Sequence, residues 1–142
     1  LGADGDAGAQ ARQLVSELSL EAHYVFAGFQ DRVEDLYRLM DVFVLSSREE
    51  ALGSSVLDAF LYSVPVVATD AGGLPELLAG GRGLQCKVGD AQGLADAVAR
   101  VLDDADLRES LVTHAHDYVL REHDVARMAQ RYLQVYESLG VS

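Results

Sequence analysis

The sequence contains no tryptophan, and only one cysteine, one lysine and two prolines in 142 residues. A single cysteine excludes an internal disulfide, and we expect Cys86 to be a buried, reduced thiol, which fits the cytoplasm. No apolar run approaches the roughly 18 residues of a membrane-spanning helix. Basic character is also scarce, because 11 basic residues face 23 acidic ones and give a net charge of −12. Nucleic acid and anionic membranes are therefore poor partners for this chain.

The residues that are present suit one soluble globular domain. Hydrophobic residues make up 49% and charged residues 24%, which is ordinary for this class of protein. A domain of this length buries about 68–70% of its unfolded surface, so it can hold a sizeable core. Because Leu1 rather than Met opens the chain, we expect a segment of a longer protein.

Apolar periodicity switches repeatedly between the helix pattern and the strand pattern. Three short, mostly apolar runs predict strands at 24–27, 42–45 and 66–69, and the segment 84–88 predicts a fourth. The intervening segments predict helices, and everything after Gly89 is predicted to be helical. Alternating strands and helices indicate an α/β fold around a parallel sheet of about four strands. Ligands in such sheets bind at the carboxyl ends of the strands.

A polar loop at residues 46–53 follows the second predicted strand and leads into a helix. Gly53 in this loop allows a ligand to approach the backbone closely. The N–H groups of Ser54, Ser55 and Val56 are predicted to be unpaired donors of the first helical turn, which suit a pyrophosphate. Such a site allows an acidic protein to bind an anionic ligand through its backbone.

Two acidic residues flank these amides. Glu50 lies just before the helix, where it can accept hydrogen bonds from sugar hydroxyls, and Asp58 lies about one turn inside it, where it can hold a ribose diol. The pattern predicts a site for a phosphorylated polyol. Structural alternatives remain, because Ser55 and Asp58 also match a capping box. Likewise, Glu49 and Glu50 also suit a solvated acidic loop near the positive end of a helix dipole.

The stretch from residue 41 to residue 78 resembles the signature region of retaining GT-B glycosyltransferases of the family-four, or group 1, type. The family motif is a Glu, seven residues and a second Glu, usually beginning Glu-Gly-Phe-Gly. This chain has the letters EALG from Glu50 and an acid at the second position, Asp58. The sequences VPVVAT at 64–69 and GGLPE at 72–76 match the strand and turn that follow in the family. The resemblance covers nearly the whole chain.

This resemblance implies that residues 1–142 form an incomplete GT-B C-terminal domain, Rossmann-like, with helices on both faces of the sheet and a helical tail. It implies transfer of a sugar from a nucleoside-diphosphate sugar to an unknown acceptor with retention of configuration, without a bound metal or other cofactor. Carried onto this sequence, the family roles make Glu50 the catalytic residue at the donor sugar and Asp58 the ligand of the ribose. The other implied donor-binding residues are Leu52, Gly53, Ser54, Ser55, Val56, Phe29 and Gln30.

Two departures from the family motif matter. Ala51 replaces the usual Gly and makes the loop less free, and Asp58 replaces the usual Glu and shortens the reach by one methylene. The Arg and Lys that neutralise the leaving diphosphate in the family have no counterpart here. We therefore expect this chain to bind nucleotides weakly and to be inactive alone.

Two other functions are compatible with parts of the pattern. A non-catalytic nucleotide-binding or structural domain is one alternative, and another GT-B enzyme such as a sugar-nucleotide epimerase is a second. The spacing of Glu50 and Asp58, with the GGLPE stretch, favours the transferase. His114 and His116 are two residues apart on a predicted helix and point to different sides, so they predict no metal site.

By resemblance, residues 24–27 and 42–45 are the third and fourth strands of the family sheet, and the two strands between them are missing. A gap of two strands exposes unpaired strand edges. We therefore expect one of two outcomes. Either 24–27 pairs with 42–45, or the open edge pairs with a second copy to give a homo-oligomer.

Overall fold

A computed structural model describes residues 6–123 and 125–140, and these fall into two units, one up to Val33 and one from Glu34 onward. The first unit contains helix α1 (Asp6–Glu17) and an irregular segment. In that segment the rings of Tyr24 and Phe26 lie 4.7 Å apart, and the Arg12 guanidinium lies 4.2 Å from the centre of the Phe26 ring. Phe26 thus links the irregular segment to α1 through aromatic and cation–π contacts.

Residues 24–27, predicted as a strand, form no strand in the structure. The side chain of Val25 is 86% exposed, and no strand of the described residues pairs with this segment. A strand needs a neighbour to satisfy its N–H and C=O groups, so an apolar run without one remains irregular. The prediction of about four strands and of pairing between 24–27 and 42–45 was wrong. Pairing of the open edge with a second copy stays a prediction.

After α1 the elements follow in this order: α2 (Val33–Tyr37), β1 (Phe43–Leu45), α3 (Ser54–Leu61), β2 (Val66–Thr69), α4 (Leu74–Leu78), β3 (Leu84–Cys86), α5 (Ala91–Asp103), α6 (Ala105–Glu122) and α7 (Val125–Ser138). The strands form a parallel sheet with the order β1-β2-β3. Phe43 lies opposite Val66, and Val67 lies opposite Leu84. The predicted α/β fold with a parallel sheet is confirmed.

The core is built on both faces of β2, every residue of which is buried. Because side chains alternate along a strand, Val66 and Ala68 pack into one cluster, which includes Phe60 and Leu74. Val67 packs into a second cluster with Val101. Helices α3 and α4 contribute to the first cluster and α5 to the second, while α6 contributes to both. Helices therefore cover both faces of the sheet, as predicted.

Arginine side chains close the carboxyl ends of two helices. Arg82 donates from Nε to the carbonyl of Leu77 and from Nη2 to that of Glu76, both at 2.6 Å, and its guanidinium lies 3.9 Å from the centre of the Tyr118 ring. Arg108 donates from Nη1 to two carbonyls at the end of α5, each at 3.1 Å. The last carbonyls of a helix lack intrahelical partners, and cations there are favoured by the helix dipole. The guanidinium groups of these two arginines therefore already have hydrogen-bond partners within the fold.

No helix in the described ranges has both the length and the apolar character needed to cross a bilayer.

The final helix, α7, is linked to the end of α6 by ion pairs. The carboxylate of Glu122 accepts a hydrogen bond from Arg131 and lies 3.7 Å from Nη1 of Arg127. These ion pairs set the corner between the two helices.

Helix α3 ends in a Schellman motif with serine where glycine is usual. The N–H of Val64 donates to the carbonyl of Ala59 at 2.9 Å, and the N–H of Ser63 donates to that of Phe60 at 3.1 Å. Ser63 has a φ of +57°, a left-handed conformation that costs a non-glycine residue about 1–2 kcal/mol. Ser19 after α1 has the same character, with a φ of +55°.

Replacing Ser63 with glycine is expected to raise the free energy of unfolding by about 0.5–1 kcal/mol, because relief of the left-handed strain exceeds the added entropy of the unfolded chain. Urea denaturation measures the change. Ser63→Ala is the matched control, since it removes the hydroxyl and keeps the strain, and it should give no gain. A Ser63→Gly protein no more stable than the Ser63→Ala protein would contradict the prediction.

Candidate functional site

Three loops meet at the carboxyl edge of the sheet. They follow β1 at residues 46–53, β2 at 70–73 and β3 at 87–90. Parallel strands direct their carboxyl ends to the same edge, which is where ligands bind in α/β sheets. The loop after β1 carries Glu50, and its geometry is fixed by contacts with the loop after β2.

The Glu50 side chain is half-buried and held at both carboxylate oxygens. Oε1 accepts a hydrogen bond from the N–H of Gly53 at 3.1 Å, and Oε2 lies 3.4 Å from the hydroxyl of Ser47, which donates to it. The main-chain carbonyl of Glu50 accepts from the N–H of Gly73 at 3.2 Å. Glu50 is therefore a positioned group, unlike its exposed neighbour Glu49, and the alternative of a freely solvated acidic loop does not describe it.

Helix α3 begins at Ser54, with Gly53 as its N-cap in the left-handed conformation (φ 64°, ψ 43°) and no side-chain cap. The alternative in which Ser55 and Asp58 form a capping box is therefore wrong, since a box needs Ser55 at the N-cap and the acid three residues later. Asp58 is instead the fifth residue of the helix, beyond reach of its first amide. A left-handed conformation suits glycine, which is why the helix starts earlier than the serine pattern predicts.

The first-turn amides differ from the prediction at one position. The N–H of Val56 donates to the carbonyl of Gly53 at 2.9 Å, so it is not an unpaired donor as predicted. The N–H groups of Ser54 and Ser55 find no acceptor within the part of the chain that the structure describes. Two amides, rather than three, remain available at the positive end of the α3 dipole.

Asp58 is exposed on α3, near the hydroxyl of Tyr37. That hydroxyl donates to the carbonyl of Ser55 at 3.0 Å and so ties α2 to the first turn of α3. Burial raises the pKa of Tyr37, and the negative charge of Asp58 raises it further. The ring of Tyr37 also stacks on that of Tyr62 at 5.6 Å. The turn that presents the two free amides is thus supported from behind by α2.

The predicted donor-binding residues do not include Thr69 and Asp70, which link the loops. Thr69 is buried, and its hydroxyl donates to the carbonyl of Ser47 at 2.6 Å. The carboxylate of Asp70 accepts from the N–H of Val88 at 2.9 Å and from the Lys87 ammonium at 2.6 Å. The hydrogen bond from Lys87 contributes most to lowering the pKa of Asp70. In the sequence, Thr69 can be recognised as a polar residue at the end of an otherwise apolar strand.

Three other predicted donor-binding residues occupy simpler surroundings. Leu52 is 77% exposed in the loop before α3, so its side chain takes no part in holding the loop. Phe29 and Gln30 belong to the first unit, where Phe29 is exposed and the amide of Gln30 donates to the carbonyl of Ala27 at 2.5 Å. Their place in a donor site stays a prediction.

The edge offers no cluster of metal ligands in residues 6–123 and 125–140, because no group of three or more His, Cys, Asp or Glu side chains converges there or elsewhere in those ranges. An open groove of about 470 Å³ runs beside β3 and α5, and Asp70 and Lys87 line it while Glu50 does not. The groove is therefore separate from the side chain of Glu50. Cys86, predicted to be buried, is only partly buried and lines this groove. Its partial burial raises the pKa of its thiol.

Comparisons with known proteins agree on one family. The family described as "Glycosyl transferases group 1" matches residues 1–118. N-acetyl-alpha-D-glucosaminyl L-malate synthase of Bacillus anthracis is 33% identical over 125 residues, 87% of this chain and 33% of that protein. The structure of Anabaena Alr3699/HepE in complex with UDP has a TM-score of 0.86 at 26% identity and covers 92% of this chain and 36% of that one.

A third match is to a solved C-terminal domain. The C-terminal domain of a glycosyl transferase group 1 family protein (LpcC) from Francisella tularensis has a TM-score of 0.76 at 26% identity, over 84% of this chain and 64% of that one. The chain spans about a third to two fifths of the length of the curated relatives it matches.

Proposed function

Since this chain belongs to the group 1 glycosyltransferases, we propose that it supplies the donor-binding part of an enzyme that transfers a sugar from a nucleoside-diphosphate sugar, and that residues 1–142 are part of that enzyme's C-terminal domain. The observation that carries the proposal is the geometry at the start of α3. Glu50 is held by Gly53 and Ser47 immediately before the helix. The free amides of Ser54 and Ser55 follow it in the first turn.

In the proposed complex each group has one task. Glu50 contacts the donor sugar as the catalytic residue. The amides of Ser54 and Ser55 bind the diphosphate, because unpaired N–H groups at the positive end of a helix attract anions. Asp58, one turn further along α3, binds the ribose hydroxyls. Leu52 completes the donor contacts through its main chain, while Gly53 and Val56, whose N–H groups bond to Glu50 and Gly53, shape the turn.

The loop that carries Glu50 has one basic side chain, the exposed Arg48, which cannot by itself balance a diphosphate. The chain has a single lysine, and Lys87 is engaged by Asp70. The guanidinium groups of Arg82 and Arg108 bind helix carbonyls. We therefore assign neutralisation of the leaving diphosphate to a part of the whole enzyme outside this chain. Closure of that part over the donor would exclude water and complete the site.

The proposal also includes retention of the anomeric configuration and transfer without a bound metal, as the resemblance to the family implies. The backbone amides of this chain and the cationic groups assigned to the rest of the enzyme would carry the charge of the leaving diphosphate. Anabaena HepE was solved with UDP and also with UDP-glucose, which supports a uridine nucleotide sugar as the first donor to test. The acceptor is bound by the part of the enzyme outside this chain.

The proposal is tested at Asp58 by titrating the chain with UDP, GDP and ADP and following backbone amide resonances. The wild-type chain is expected to bind one of these nucleotides weakly, with the largest shifts at Ser54, Ser55 and Asp58. Asp58→Ala is expected to lower that affinity about tenfold, as loss of a charged hydrogen-bonding group does. Stability should change by less than about 0.5 kcal/mol, since Asp58 is an exposed residue outside any cap.

The control for this experiment is Asp117→Ala, which removes an exposed acid from α6 and changes the net charge equally. That variant should bind like the wild-type chain. Equal affinities of the Asp58 variant and the wild-type chain would remove the ribose role. Shifts that spread away from the start of α3 would place the nucleotide elsewhere, and tight binding by this chain alone would overturn the assignment of the diphosphate charges to another part.

A further inference from the structure

The glycine pair after β2 packs against the main chain of the Glu50 loop. A Cβ atom on Gly72 would lie 1.7 Å from the carbonyl oxygen of Glu50, and one on Gly73 would lie 2.7 Å from the carbonyl oxygen of Ala51. The N–H of Gly73 donates to the same Glu50 carbonyl at 3.2 Å. Such close approach of two backbones is possible only where both side chains are absent.

The turn formed by these glycines is itself anchored on its far side. The N–H of Asp70 donates to the carbonyl of Cys86 at 2.8 Å, and the carboxylate of Asp70 binds the N–H of Val88 and the ammonium of Lys87. On the near side, Leu74 is fully buried directly after the turn. The turn is thus fixed between β3 and the core, and it is rigid enough to support a neighbouring loop.

We propose that Gly72 and Gly73 are positioning residues that set the orientation of Glu50 toward the donor sugar, a role that rests on the proposed function for the identity of the ligand. The turn supports the peptide of Glu50 from behind. The carboxylate of Glu50 then reaches Gly53 and Ser47 in one geometry. The turn before Pro75 is therefore part of the donor site as well as a connection between β2 and α4.

The effect is expected to be selective for the sugar. A displaced Glu50 peptide moves a carboxylate that contacts the sugar, whereas the amides of Ser54 and Ser55 remain at the start of α3. Binding of UDP-glucose should therefore weaken relative to binding of UDP. Loss of one charge-assisted contact corresponds to about a tenfold change in the ratio of the two affinities.

The first experiment needs no ligand and compares backbone amide shifts of three variants. Gly72→Ala and Gly73→Ala are expected to shift the amides of residues 50–53. Gly81→Ala is the matched control, because Gly81 has a φ of +75° like the +50° of Gly72 but nothing within 4 Å of an added Cβ. It carries the same backbone strain without the contact. Gly73 lacks a positive φ, so the Gly73 variant keeps the test valid where the Gly72 variant is too unstable to fold.

The second experiment measures affinities of the same variants for UDP and for UDP-glucose. The Gly72 and Gly73 variants are expected to lose about tenfold in the affinity for UDP-glucose relative to UDP, while the Gly81 variant keeps the wild-type ratio. Equal losses for both ligands, or unmoved amides at 50–53, would overturn the positioning role. Should the wild-type chain bind neither ligand, the proposed function fails, and the ligand-free shifts still decide whether the glycines set the Glu50 loop.

Discussion

Replacing Glu50 with glutamine is expected to slow sugar transfer by the whole enzyme by about a hundredfold to a thousandfold, the range seen when one preorganised electrostatic group is removed from an active site. Glutamine keeps an oxygen that can accept from the N–H of Gly53, and its NH2 group can donate to the hydroxyl of Ser47 where the second carboxylate oxygen accepted, so the loop should hold its shape. The substitution removes the negative charge that we place beside the donor sugar. The rate constant kcat with a saturating nucleotide sugar measures the effect.

Glu49→Gln is the matched control for this experiment. Glu49 is adjacent and exposed, so the same chemical change there should leave kcat within about twofold and stability within about 0.5 kcal/mol. A Glu50→Gln enzyme that is slow only because it unfolds more readily would contradict the prediction, and thermal melting curves of both variants decide this. Equal rates for the two variants would remove Glu50 from the reaction.

Replacing Phe60 with alanine is expected to lower the free energy of unfolding by about 3–5 kcal/mol. The Phe60 ring is fully buried in the cluster on one face of β2, beside Val66 and Leu74. Its loss removes apolar burial and leaves a cavity between α3 and the sheet. Because a domain is stable by only about 5–15 kcal/mol, the variant should be close to unfolding at physiological temperature.

The neighbouring residue provides the control for Phe60. Leu61 lies on the same helix and is 48% exposed, so Leu61→Ala should cost less than about 1 kcal/mol. Urea denaturation of both variants measures the difference. A loss below about 1 kcal/mol for Phe60→Ala would mean that the first core cluster does not hold α3 against the sheet.

The parts of the fold that the sequence predicts well are those with a complete local signal. Strand β2 is an unbroken apolar run between Pro65 and a polar residue, and the helix after β3 has an N-cap acid, Asp90, that accepts from the N–H of Gly93 at 2.8 Å. The run at 24–27 has the same apolar character, but a strand is completed by its neighbour. Composition does not report whether that neighbour is present.

The sequence predicts which residues form the candidate site better than it predicts how they are arranged. The spacing of Glu50 and Asp58 is visible in the sequence, and the resemblance gives it a meaning. The alternative prediction, a capping box of Ser55 and Asp58, required the helix to begin after Ser55. In the structure Gly53 is the N-cap, in a left-handed conformation, and the helix begins at Ser54. The support of Glu50 by Gly72 and Gly73 depends on two loops meeting in space, about twenty residues apart in sequence.

The central position of β2 in the sheet predicts how slowly its amide hydrogens exchange with solvent. Its amide groups point alternately toward β1 and β3, and all of its side chains are buried. No fraying of an outer strand exposes every one of these amides to water. Their exchange with deuterium should therefore require opening of the entire second unit, and the slowest rates in the chain should be found there. The exchange rates of those four amides would then report global unfolding of the unit, in the wild-type chain and in each variant described above.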